Sequence, residues 1–122
     1  MTHDLPHNCL IIAILFIGIA MPKSVLIDDY ILEPLLRDLT GHDRKPAAFL
    51  VYLWLTGEQS RRGSPVAISY IDLAQNTGLS RSSVQASVRW LLRRKLLTVA
   101  KENPTAVPVY TVQFPWRKRG SR

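Results

Sequence analysis

At 122 residues the chain has room for one small domain and not two, and its 47% apolar content is enough to build a packed core. A net charge of +7 points to polyanionic partners, either nucleic acid or an anionic membrane surface. The charge is lopsided: from Arg81 onward there are ten basic residues and one acid, Glu102, against six and eight in the residues before it. The single cysteine, Cys9, excludes an internal disulfide and fits a reducing cytoplasm.

Cys9 to Met21, "CLIIAILFIGIAM", is an unbroken apolar run of 13 residues, too short for an ordinary transmembrane helix. It has the length of a signal-peptide core, and Gly18 and Ala20 are placed like a cleavage site. The preceding "MTHDLPHN" has no Lys or Arg, as a signal peptide would require. Met21 opens "MPKSVLIDDYIL", an ordinary beginning for a soluble protein. Residues 1–21 thus form a hydrophobic N-terminal segment, of which the first 20 read first as a mis-called extension before a start at Met21 or an extra hydrophobic segment, and second as a signal or anchor. His3, His7 and Cys9 lack a fourth partner, so no metal is expected there.

Val25 to Leu39 is apolar with scattered acids. Pro34 suits the first turn of a helix, "PLLRDL", closed by Gly41, and "GHDRK" follows as a polar loop in which His42 and Asp43 are expected to be solvated. Pro46 starts "PAAFLVYLWLTG", a helix ending near Gly57. It is apolar on nearly every face and so is expected to be central. "EQSRRGSP" reads as a loop, and Val66–Ile68 as a short strand. Ser69 caps a helix "YIDLAQNT" stopped by Gly78, and Ser80 caps a longer helix reaching about Arg94. "LLTVAK" and "VPVYTVQF" pair as a hairpin around the turn "ENPTA", and "WRKRGSR" is a basic tail expected to fray.

The long helix separates into two faces. Stepping about 100° per residue puts Val84, Val88 and Leu91 on the inward side, flanked by Leu92. Ser82, Gln85, Ala86, Arg89 and Arg93 gather on the opposite side, with no acid among them. Arg can bond a guanine edge in bidentate fashion, and Gln an adenine edge. Ser hydroxyls and the exposed N–H groups of a helix start suit phosphates, while Ala86 permits close approach to the groove. Arg93, Arg94 and Lys95 also favour the helix dipole, so they say less about function than Arg81, Gln85 and Arg89. A membrane-surface helix would need a free apolar face, and here the core needs that face.

The stretch "IDLAQNTGLSRSSVQASVRWLLRRKLL", with Ile71, Leu73, Ala74 and Leu79 as apolar contacts and the hairpin after it, resembles the winged helix-turn-helix superfamily. The resemblance covers roughly Pro46 to Phe114 and is similar to GntR-type bacterial regulators and to phage or plasmid replication-protein domains. It implies a mainly α fold with a small β-hairpin wing (α+β), a three-helix core, and DNA contact through the third helix and the wing. Trp90, Leu91 and Leu92 form a heavier apolar mid-helix than such binding requires, which predicts packing against an extra N-terminal element.

On this reading residues 22–45 are an accessory helical segment, 46–115 the DNA-binding domain, and 116–122 the basic tail. The expected DNA contacts are Ser80, Arg81, Ser82, Ser83, Gln85, Ala86, Arg89 and Arg93 on the helix, Lys101 and Asn103 on the wing, and Arg117 and Lys118 in the tail. Thr105 also falls near the wing tip, and Glu102 there is unfavourable for phosphate. The expected function is sequence-specific binding of double-stranded DNA by a small cytoplasmic transcriptional regulator, dimeric through the spare apolar surface of Val25 to Leu39. Two alternatives stay open: a plasmid or phage replication-initiation module, and a protein-interaction winged helix using Trp90, Trp54 or Tyr30. Asp28 and Asp29 lack a partnering base or nucleophile, so no catalysis is expected. No cofactor, small-molecule ligand or membrane contact is expected either.

Overall fold

A computed structural model describes residues 23–117; the apolar N-terminal run and Lys118 lie outside the described residues. The described residues are mainly helical, with four helices and a small three-stranded antiparallel sheet. Helix α1 covers residues 29–42, α2 is Pro46–Arg62, α3 is Tyr70–Thr77 and α4 is Arg81–Arg93. Strands β1 (Val66–Ala67), β2 (Leu97–Ala100) and β3 (Val109–Val112) lie in the order β1-β3-β2.

Helix α1 departs from expectation at both ends. It begins before Pro34 and carries it inside, and it runs on through Gly41 to His42. Pro34 has no N–H to return to the preceding turn, and its ring crowds that turn. The backbone widens to π geometry around it, over Ile31–Leu35, and has a second π turn over Asp38–His42. The chain then leaves through Arg44, a non-glycine residue at φ 56°. Ile31, Leu35 and Leu39 are buried on its inner side.

Helix α2 starts with Pro46 in its first turn, as expected, but passes Gly57 and ends at Arg62. The predicted loop "EQSRR" is its last turn and a half. Glu58 pairs with both Arg61 and Arg62 at helical spacing, which favours continuing the helix. Gly63 supplies the stop instead, at φ 68°. Gly57 sits in the helix interior, and a Cβ built there meets nothing within 4 Å. Gly57→Ala is therefore expected to stabilise the fold by roughly 0.5–1 kcal/mol, read as a higher urea midpoint.

The caps at Ser69 and Ser80 form as the sequence predicts. Ser69 Oγ accepts from Asp72 N and Ser80 Oγ from Ser83 N, each at 3.1 Å. Gly78, at φ 80°, closes α3 and turns the chain into α4. Val84, Val88 and Leu91 pin α4 to the core, principally against α2. Full burial of side chains of this kind is worth about 1.5–3 kcal/mol each. Leu73 of α3 is fully buried and Ala74 and Leu79 pack at its margin, whereas Ile71, expected to be an apolar contact, is instead 51% exposed.

In the sheet, β3 is central. Val66 stands opposite Tyr110, and Leu97 and Val99 stand opposite Val112 and Tyr110. β1 is too short to cover β3 fully, and a side chain completes the edge. Gln59 of α2 accepts from Val112 N at 2.7 Å, and its amide lies 3.4 Å from Val112 O. Tyr52 Oη donates to Gln113 O at 2.8 Å. The sheet is thereby hydrogen-bonded to the same helix that forms the centre of the core.

Candidate nucleic-acid interface

The exposed side of α4 is built from the first turn onward. Ser80 takes an extended backbone and caps the helix, and its hydroxyl also lies 3.3 Å from that of Ser82. Arg81, Ser82, Ala86, Arg89 and Arg93 are exposed, and Ser83 and Gln85 are half-buried. Val84, Ser87, Val88 and Leu91 are buried beneath them, so the face is presented by a fixed helix. Ser87 escaped the sequence reading; its small side chain lets the helix sit close on the core.

Among the described residues, none of the ion pairs engages Arg81, Arg89, Arg93 or Lys101. Arg93 has a different partner: its guanidinium lies 5.4 Å from the centre of the Trp90 ring, and Lys45 lies 5.0 Å from that ring. The cations of this face are therefore still open to an external anion, with Arg93 steadied by an aromatic platform.

Arg94 is different. It bonds Asp43 and, at 3.2 Å, Asp38. Trp90 Nε1 donates to Asp43 Oδ2 at 3.0 Å, and His42 Nδ1 lies 3.1 Å from Oδ1. Asp43 was expected to be solvated; its side chain is instead 6% exposed. Burial alone would raise its carboxyl, but bonds from His42, Trp90 and Arg94 outweigh this and hold it below its ordinary range. Packing of Trp90 against an N-terminal element is thus present, with a carboxylate at its centre. The sequence signalled this junction through the apolar Trp90 to Leu92 stretch, but not through the carboxylate that holds it.

The hairpin connection, residues 101–108, holds Lys101 and Asn103 exposed. Asn103 Oδ1 accepts from Thr105 N at 3.0 Å and lies 2.9 Å from Thr105 Oγ1, so the side chain first of all builds its own turn. Lys101 and Arg81 line one cleft between α4 and this hairpin. The fold thereby brings together the start of α4 and the base of the hairpin.

The tail does not begin where expected. Trp116 stacks on Tyr30 with ring centres 4.5 Å apart, and its Nε1 donates to Asp28 Oδ2 at 2.8 Å. Arg117 grips Asp28 with both arms, at 2.8 and 3.0 Å, and lies over the Phe114 ring. Expected to fray, these two residues are anchored, and the charge of Arg117 is engaged by Asp28.

The Arg117 and Trp116 bonds hold the Asp28 carboxyl below its ordinary value of 3.8. A depressed carboxyl stabilises the fold above 3.8, and that contribution is lost as pH falls through the lower folded value. Acidification is expected to free Trp116 in that window, and Asp28→Asn to remove this step from a tryptophan-fluorescence titration.

Among the described residues no group of His, Cys, Asp and Glu is placed to hold a metal ion, and no helix is long and apolar enough to cross a membrane. No family model, curated protein or solved structure matches the chain.

Proposed function

We propose that this chain is a winged helix-turn-helix protein that reads double-stranded DNA, acting as a small transcriptional regulator in the cytoplasm. Helix α4 enters the major groove, and the residues 101–108 connection serves as the wing along the backbone. The observation that carries this reading is the acid-free exposed face of α4. It follows α3 through the Gly78 turn, and the same fold sets Lys101 near Arg81. The roles divide by chemistry. Arg89 and Gln85 read base edges, Ala86 allows close approach, and Ser80, Ser82, Ser83, Arg81, Arg93 and Lys101 hold phosphates. Asn103 orders the wing tip. Lys118 would add sequence-independent, salt-sensitive affinity. A homodimer would form through Val25 to Leu39, where Leu26, Tyr30 and Leu32 are exposed.

Mapping by amide NMR tests this placement. With added duplex DNA, shifts are expected at residues 81–93 and 101–105. Shifts centred on residues 26–32, or none, would reject it.

A further inference from the structure

The cleft between α4 and the hairpin has an interior that phosphate contact does not explain. Its volume is about 370 Å³, within the range of small-molecule sites, about 300–1,000 Å³. Val99 faces the same side of the sheet as buried Leu97, two residues earlier, yet it is 42% exposed. Ile71 and Val107, 51% and 53% exposed, line the same cleft, so three of the most exposed large apolar side chains converge there. Buried Val88 and Tyr110 also line it.

The charges lining the cleft are of one sign. Among the described residues, Arg81 and Lys101 are its only ionised ones, with no Asp or Glu. Burial, with Tyr70 beside it, pushes the Tyr110 phenol above its ordinary range. The larger hollow, about 420 Å³ near Leu26 and Phe114, differs because its charged residues, Asp28 and Arg117, already satisfy each other. A DNA backbone is polar along its whole length and would leave Ile71, Val99 and Val107 uncovered. A molecule with an apolar chain and one anionic end would satisfy both parts of the cleft.

We propose that this cleft binds an aliphatic carboxylate, its chain against Ile71, Val99 and Val107 and its carboxylate held by Arg81 and Lys101. Because Arg81 and Lys101 are also assigned to DNA phosphates, bound carboxylate and duplex compete for them. That second statement rests on the DNA reading; the binding itself does not. The two ligands then weaken each other by the same factor.

The test is an NMR titration of the full chain with sodium octanoate below its micellar concentration, with 1-octanol as the uncharged comparison. Saturable shifts confined to Ile71, Val88, Val99, Val107 and their neighbours are expected. Octanoate should bind about ten-fold more tightly than octanol, and Arg81→Ala and Lys101→Ala should each remove about that factor for octanoate alone. Both substitutions are at exposed positions, and circular dichroism checks that the fold persists. Absent shifts, non-saturating shifts over the whole surface, or equal affinity for the two amphiphiles would overturn the proposal. Octanoate binding by a chain that retains no duplex would support the cleft and refute the DNA reading. Duplex binding without octanoate binding would do the reverse.

Discussion

Arg89→Ala is expected to lower affinity for the preferred duplex by about 5- to 150-fold, corresponding to ~1–3 kcal/mol, while binding to unrelated duplex falls much less. Arg89 is exposed, is held by a helix whose neighbouring Val88 is buried, and has no ion-pair partner among the described residues. Its guanidinium is thus free to form a bidentate contact with a base edge. Gln85→Ala should act in the same sense, with a smaller loss because one neutral amide is removed. Competition between preferred and scrambled duplexes, followed by fluorescence anisotropy, separates the effects. An equal loss on both sequences would place Arg89 on the backbone and remove it from base reading.

Asp43→Ala is expected to destabilise the fold by ~2–3 kcal/mol, seen as a lower urea midpoint. The substitution strips the acceptor from Trp90 Nε1 and the main counter-charge from Arg94. Arg94 is only one-third exposed, so water replaces that partner incompletely. The remaining bond to Asp38 is longer and more exposed, and it limits the loss. Asp43 sits at the end of α1 and ties it to the last turn of α4, so the same variant should loosen α1 against the core. Arg94→Ala should follow it in stability while leaving sequence preference intact. Adjacent arginines thus divide: Arg94 holds the fold together, and Arg93 remains at the surface on the Trp90 ring.

The parts of the fold legible in the sequence are those specified by near neighbours. Ser69 and Ser80 each cap a backbone N–H three residues on, and Gly78 takes the left-handed turn that a side chain resists. The alternation in β3 buries Tyr110 and Val112, as period two requires. The inward stripe of α4 was equally legible, because helical spacing alone defines it.

What was missed depends on partners distant in the chain, or on one local signal outweighing another. Gly57 looked like a stop, but the Glu58 pairs and the Gly63 turn carried the helix further. Pro34 looked like a beginning, but buried Ile31 on its N-terminal side kept the helix going and π geometry absorbed the ring. Asp43 looked like a solvated acid, and Asp28 like one of an idle acid pair, because Arg94 and Arg117, which engage them, come from the other end of the chain. The candidate DNA face is less affected: the positions read as outward from spacing are exposed, apart from half-buried Gln85. Tertiary pairing mainly changed which cations remain available, engaging Arg94 and Arg117 and leaving Arg81, Arg89 and Lys101.

Selection from a pool of random duplex DNA at two salt concentrations tests DNA reading most directly. One sequence enriched at both concentrations, with total affinity falling as salt rises, is the predicted result. Retention without any enriched sequence, or no retention at moderate salt, would contradict the assignment of α4 as a base-reading helix.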